Sequence, residues 1–353
     1  MEITHIAWLG YNNFGDDVMA MAVREYLSSL YKDVNYTVWS ERKPKLSKNV
    51  KWIYPLNLKG RFIKNYFEKR ALKKTDILLI GGGSILHSQN SIIWKQEAVD
   101  IARAVNPKAK IIGINLSVGP FANKRAEESC IKLLNSLDIA SFRDEKSYSF
   151  ALNKITTYKP IESFDLAAYF LQINNFFPKI KTDKINSIGV ALKSSGDDKL
   201  SLKSQSEFLI RLSQKFNKIK LFSFCNFKNY GETEYLNNLV KFSKLSNIEV
   251  ISYNGDSVLF TKKIAECDFF ISSRLHGLVI AFLLNIPFIS LSYHQKCLDF
   301  VHNLSIPEKY VFNLEKFEID DVINNIKLYN LPDQSKYYQL SLENFKVFDV
   351  FGK

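Results

Sequence analysis

The chain predicts an α/β fold with two parallel sheets facing each other across a cleft, on three observations. Continuously apolar segments such as Asp76–Ile80 and Asp268–Ser272 alternate with segments of helical period, the pattern of strands buried on both faces by crossover helices. The alternation breaks once, in the polar, Pro178-containing stretch Ile173–Lys184. A length of 353 residues suits about two domains. The expected division is a domain over 1–175, a second over 185–330, and a closing helix over 331–353.

Composition narrows the function class. With 46% hydrophobic residues the chain can bury ordinary cores, and with 24% charged residues, 27 Phe and 17 Tyr it is not a disordered polymer. Its formal charge of +12 is spread without long basic runs. A solvated basic surface explains that best, followed by an anionic substrate or attraction to an anionic membrane leaflet. Nucleic acid is not expected, because no basic-aromatic stripe or known module appears. Cys130, Cys225, Cys267 and Cys297 are far apart, and the histidines add no ligand spacing, so no metal is expected. The chain opens straight into a strand, and its longest apolar run, Leu278–Leu291, contains Asn285 and Pro287. A cytoplasmic protein without signal peptide or membrane span is the expectation.

In order, Ile3–Leu9 is a strand, Gly10–Asp17 is the turn after it, and Asp17–Tyr31 is a helix with apolar residues at helical spacing. This is not a G-x-G-x-x-G dinucleotide fingerprint. Gly10 and Gly15 shape the turn, and Asp16 or Asp17 either caps the helix or faces a ligand. Val34–Trp39 and Lys51–Tyr54 are further strands. Lys59–Lys74 reads as a basic helix on a solvated face, with a membrane-surface role as the lesser reading. After the strand Asp76–Ile80, Gly81-Gly82-Gly83 allows either a close approach of a ligand or another loop to the backbone, or a sharp packing turn. Ser91–Val105 is a helix, and Lys110–Asn115 a strand with Ser117–Pro120 as its terminal loop. Arg125–Ser136 is a helix. Ile139–Phe142 is a strand ending at Arg143, whose plain reading is a salt bridge to Asp144 or Glu145. Asp165 follows a short extended segment. The second domain repeats strand and helix from Ile188 to Glu266.

The richest stretch is Asp268–Lys296. A strand ends at Ser272, Ser273 and Arg274-Leu-His276-Gly277 turn into an apolar helix, and a second strand, Pro287–Leu291, is followed by Tyr293 and Lys296. Ligand crevices in open α/β sheets lie outside the carboxyl ends of strands. Two cations, a histidine and a helix amino terminus at Gly277 thus converge on an anion site for phosphate or carboxylate.

Taken together, Gly10 with Asn13-x-Gly15-Asp16, Gly81-Gly82-Gly83, Gly119-Pro120, Ser141-Phe-Arg143-Asp144 with Ser147, Asp165 with Ala167, Ser273-Arg274-Leu-His276-Gly277, Pro287 and Tyr293-x-x-Lys296 resemble the polysaccharide pyruvyl transferase family of bacterial envelope biosynthesis. The resemblance implies two Rossmann-like domains in a GT-B-like arrangement. It further implies phosphoenolpyruvate as donor, with no other cofactor, and a sugar or lipid-linked oligosaccharide as acceptor. A pyruvate ketal and phosphate would be the products, and the work could be done peripherally at the inner face of the plasma membrane. It places the donor in the second domain and the acceptor against the first.

Phosphoenolpyruvate carries a carboxylate and a phosphate, so its site needs cations and N–H donors that replace water. His276, Arg274 and Lys296 are the expected catalytic set, and Arg143, Ser273, Gly277, Tyr293 and Lys193 the donor-binding set. Asn13, Gly15, Asp16, Gly82, Gly83 and Asp165 are the expected acceptor or base set. Imidazole titrates nearest neutrality, which suits His276 to proton donation, against the alternative of a structural histidine at a helix start. Lys193 stands where relatives often place arginine, and lysine lacks the planar fork for a carboxylate. Two other functions compete. A nucleotide-sugar glycosyltransferase would need a glutamate paired with the Arg-Leu-His-Gly loop, which the sequence does not display. An inactive sugar-phosphate-binding or scaffold protein would not need Arg274, His276 and Lys296 together.

Overall fold

A computed structural model describes residues 1–40, 42–44, 51–53, 68–180, 183–193, 199–227 and 231–351. The chain divides into two compact units. Unit one comprises Met1–Tyr11, Asp16–Phe170 and Lys336–Lys353; unit two comprises Asn12–Gly15 and Leu171–Ser335. Each is a parallel α/β sheet, as the alternating pattern requires.

Unit one holds β1 (Glu2–Ile6), β2 (Asn35–Trp39), β3 (Lys51–Ile53), β4 (Ile77–Leu86), β5 (Lys110–Val118), β6 (Ile139–Phe142) and β7 (Ile161–Glu162) in the order β3-β2-β1-β4-β5-β6-β7. Every pairing is parallel. The core beneath it joins strand residues Ile80, Ile111 and Leu116 to the buried faces of the helices Gln89–Val105 and Lys124–Asn135. Unit two holds β8 (Ile188–Ala191), β9 (Ile219–Ser223), β10 (Ile248–Ser252), β11 (Phe269–Ser272), β12 (Phe288–Ser292) and β13 (Val311–Asn313) in the order β10-β9-β8-β11-β12-β13. The expected helix over Lys59–Lys74 lies outside the described residues except for its last part, where 68–72 are helical.

Two strands run further than their sequences indicate. β4 continues through Gly81–Gly83 to Leu86, so no turn falls there, and β5 continues through Ser117 to Val118, which leaves Gly119-Pro120 of the expected terminal loop. The reason is crowding. A Cβ on Gly81 would stand 1.9 Å from the carbonyl oxygen of Ile114 on β5, and the backbone takes φ of 152°, 74° and 126° at Gly81, Gly82 and Gly83. Glycine alone lets the strands stay paired through that approach, at the price of a register shift between Gly83 and Leu86.

The closing segment is a helix only over Ser335–Leu342 and tightens to a 3-10 helix over Glu343–Phe351. It packs in unit one through Asn344, which is fully buried. The Asn344 side-chain oxygen accepts from Ser141 Oγ at 2.7 Å and Ser163 Oγ at 2.9 Å, and its amide donates to the Phe164 carbonyl at 2.7 Å. One amide thereby ties the tail to the ends of β6 and β7.

Beneath the glycines lies His5, wholly buried on β1. Its Nε2 lies 3.3 Å from the Gly81 carbonyl and its Nδ1 meets the Tyr36 hydroxyl. The neutral tautomer protonated on Nε2 satisfies both partners. Burial pushes the imidazole down to about 4, against the smaller opposing effect of the Gly81 carbonyl. The unfolded chain takes up this proton near pH 6.5, the folded one only near 4, so the unfolded state binds more protons throughout that window. Stability should therefore fall as pH drops from 6.5 to 4, by roughly 3 kcal/mol from this group. Chemical denaturation across that range, repeated with His5→Gln, should show the slope in the native chain and a flatter one in the variant. Equal slopes would remove His5 as the source.

Candidate active site

In unit two the strands β8, β11 and β12 are neighbours, and the residues leaving their carboxyl ends include Lys193, Ser273, Arg274 and Tyr293. Ser273 is a clamp. Its backbone N–H donates to the Ala191 carbonyl at 2.8 Å, and its hydroxyl donates to the same carbonyl at 3.1 Å while accepting the Lys193 N–H at 2.8 Å. With no exposed surface, Ser273 fixes where Lys193 leaves β8 and offers no open hydroxyl to a donor.

Arg274 caps the helix Leu275–Leu283, its N–H donating to Ser272 Oγ at 3.0 Å. The helix thus begins two residues before the expected Gly277. The Gly277 N–H donates within the turn to the Arg274 carbonyl at 3.0 Å, so that amide is already engaged. The glycine is there for space, because a Cβ would lie 2.3 Å from Ser272 Oγ.

The Arg274 side chain pairs with Glu232, which has 2% of its side chain exposed. The other Glu232 oxygen accepts the backbone N–H groups of Phe224 at 2.9 Å and Cys225 at 3.0 Å. Glu232 is the glutamate partner of the Arg-Leu-His-Gly loop that the sequence does not display, so its supposed absence no longer argues against a nucleotide-sugar site. Glu232 opens the helix Glu232–Ser243, and its place beside Gly231 at a helix start was the available signal. Its carboxylate is committed to Arg274 and two backbone donors, which orients the arginine.

Positive charge is concentrated around this pair. Lys193 Nζ lies 4.2 Å from the centre of the Tyr293 ring. Burial lowers the Lys193 ammonium from its ordinary range, and the nearby Arg274 charge lowers it further. Burial raises the Tyr293 phenol, while the Arg274 charge and its hydrogen bond to the phenol act the other way. Lys296 stands in the first turn of the helix Gln295–Asn303, its N–H donating to His294 Nδ1 at 3.2 Å. The charges of Arg274 and Lys296 both reach the Cys297 thiol, yet burial still holds that thiol up at about 12. Cys297 is therefore an inert wall residue.

His276 occupies the first turn of the same helix as Arg274, and its ring lies on Gly15. A Cβ at Gly15 would fall 1.9 Å from the imidazole Nδ1. The segment Asn12–Gly15 is itself part of unit two. Asn13 pairs with Cys225, and the Phe14 N–H donates to the Phe224 carbonyl at 2.9 Å. The Phe14 ring enters a cluster with Phe224, Tyr253 and Phe260 at centroid distances of 5.4, 5.6 and 4.9 Å. Asn13 and Gly15, expected on the acceptor side of the first domain, thus belong to unit two, where Gly15 seats His276.

The remaining expected residues lie in unit one. Arg143 pairs with Asp165 at 3.1 Å, each side chain 5% exposed. Asp144 caps its helix by accepting the Ser147 N–H at 2.8 Å. Asp165 also accepts the Ala167 N–H at 2.9 Å. Arg143 and Asp165 answer each other's charge as a buried pair. Asp16, in the first turn of the helix Phe14–Leu30, comes close to Gly83, where a Cβ would be 3.0 Å from its Oδ1. A Cβ on Gly82 would stand 3.8 Å from Met19 Cβ and 3.9 Å from His5 Cε1. Among the described residues no cluster of His, Cys, Asp and Glu is arranged to hold a metal ion. No helix among them is long and apolar enough to cross a membrane.

The model of a family described as polysaccharide pyruvyl transferase matches residues 13–295. A search of curated proteins finds no match. Solved structures similar in fold include the UDP-GlcNAc 2-epimerase of Methanocaldococcus jannaschii, with a TM-score of 0.66, 11% identity and 99% coverage of both chains. A lipopolysaccharide outer core galactosyltransferase, WaaB, gives 0.53 at 14% identity, again over 99% of both chains. Anabaena Alr3699/HepE in complex with UDP-glucose gives 0.57 at 11% identity and 99% of both. Such likeness at low identity identifies the GT-B type of two-domain α/β fold.

Proposed function

Because the chain belongs to the polysaccharide pyruvyl transferase family, we propose that it transfers the enolpyruvyl group of phosphoenolpyruvate to two hydroxyls of one sugar, giving a pyruvate ketal and phosphate. The observation that carries this reading is the crowding of cations in unit two. Lys193 is depressed by burial and by Arg274, with Glu232 already committed. Like charges held together at strand ends favour a multiply charged anion, and phosphoenolpyruvate supplies one.

In this reading Arg274 and Lys296 take the phosphate, and Lys193, ordered over Tyr293, takes the carboxylate as a point charge. His276 donates a proton to the methylene carbon, leaving an oxocarbenium-like centre at the adjacent carbon. One sugar hydroxyl adds there and returns its proton to His276, phosphate departs with its bridging oxygen, and the second hydroxyl closes the ketal as its proton leaves with the phosphate. No metal or further cofactor takes part. The acceptor is a sugar of a cell-surface polysaccharide repeat carried on a lipid. The charge of +12 would draw the chain to an anionic leaflet at the inner face of the membrane.

Calorimetry tests the donor assignment. Phosphoenolpyruvate should bind saturably, Arg274→Ala should abolish detectable binding, and Lys193→Ala should weaken it about tenfold or more, the value of a charged hydrogen bond. Wild-type affinity in both variants would refute the assignment.

A further inference from the structure

The sheet of unit one changes direction at β1, with β2 and β3 on one side and β4 to β7 on the other. At such a switch point the loops leaving adjacent strands diverge and open a crevice outside the carboxyl ends. The β4 side of that point carries Gly82, Gly83 and the Asp16 carboxylate. The loop leaving β1 carries Trp8, an indole with 47% of its surface exposed. Single exposed apolar residues are ordinary. This one is held in a fixed plane. Trp8 stacks on Tyr11 with ring centres 4.1 Å apart and an interplanar angle of 1°. Tyr11 is only 7% exposed and lies under the Arg42 guanidinium, 5.4 Å from its ring centre. Arg42 is positioned in turn by its backbone, which leaves no room for a Cβ on Gly10, at 2.4 Å from the Arg42 carbonyl oxygen.

An indole backed by a second ring and a cation keeps its orientation without a ligand, so little ordering is lost on binding. Its π face is electron-rich and attracts the weakly positive C–H edge of another ring. A pyranose presents such C–H groups on its faces and hydroxyls around its rim. A carboxylate follows the same loop in the chain. Asp16, only partly buried, stands in the first turn of the helix Phe14–Leu30 that follows this loop, whereas Asp17 beside it is 3% exposed. Carboxylates there repel phosphates and accept hydrogens from hydroxyls.

We propose that Trp8, stacked on Tyr11 and steadied by Arg42, is the platform on which a pyranose ring of the acceptor lies flat, with Asp16 facing its hydroxyls. This assignment rests on the pyruvyl-transfer reading for its place in the reaction, while its own chemistry is that of a neutral sugar subsite. Trp8 acts here by binding and touches no part of the donor.

Saturation-transfer NMR on the intact chain tests it, using methyl glucopyranosides, galactopyranosides and mannopyranosides as probes, with uridine alongside. At least one pyranoside should receive saturation, strongest on the C–H groups of one ring face. In Trp8→Ala its affinity should fall about tenfold, the scale of one aromatic contact, and Trp8→Phe should restore part of it. Phosphoenolpyruvate binding should be the same in all three proteins. Transfer to no pyranoside in the wild type, transfer that survives Trp8→Ala, or transfer to uridine that depends on Trp8 would each overturn the platform. If a pyranoside binds through Trp8 while phosphoenolpyruvate fails to bind, the platform stands and the pyruvyl-transfer reading falls.

Discussion

Gly15→Ala should lower turnover by about a hundredfold or more, the penalty for displacing a reacting group by about an ångström. The added methyl would enter the imidazole of His276, at 1.9 Å from Nδ1, so the ring must leave its seat. Folding offers no rival explanation. Gly15 lies within a helix and takes no positive φ, so alanine suits its backbone and should even favour the helix. Phosphoenolpyruvate binding should change little, because the cations around Arg274 are untouched. His276→Ala should reduce turnover to a similar level, and combining the two should add almost nothing, since both remove one proton donor. Steady-state kinetics on the three variants decides the matter. Wild-type turnover in Gly15→Ala would show that the position of His276 is irrelevant to the chemistry.

The elements that sequence disclosed well are those whose evidence is local. Strands such as Phe269–Ser272 are buried on both faces and therefore read as unbroken apolar runs. The helix after each shows its period, and Arg274 and Tyr293 meet because one stretch of chain carries them around two adjacent strand ends. What escaped is non-local. Gly81–Gly83 announces a missing side chain but not the β5 backbone that requires its absence. Asn344 bonds to Ser141 and Ser163, 203 and 181 residues away, and no pattern near Asn344 indicates them. Phe14 reads as one more apolar residue beside a helix, although its ring and its N–H join unit two and thereby bring Gly15 to His276. Arg143 and Asp165 pair across 22 residues. Both types suit an anion or base site, yet buried against each other they satisfy one another.

Glu232→Ala should be among the most destabilising single changes in unit two. The carboxylate is almost wholly buried and serves Arg274 together with the N–H groups of Phe224 and Cys225. Removing it strands a cation and two backbone donors, and breaking a buried pair from one side costs about 3–5 kcal/mol. Denaturant unfolding should report that loss, and an unchanged midpoint would mean that water replaces the carboxylate freely. Glu232→Gln separates the two duties of the side chain. Its amide oxygen can still accept from the backbone donors, so this variant should fold with a smaller penalty. Arg274 would then lack its counter-charge, leaving the site more positive. Phosphoenolpyruvate should consequently bind at least as tightly, while turnover falls because the guanidinium is no longer aimed by a fixed carboxylate. Tighter or equal binding with slower turnover marks Glu232 as a positioning residue. Weaker binding with undiminished turnover would instead mean that Arg274 needs no aiming and that the pair serves stability alone.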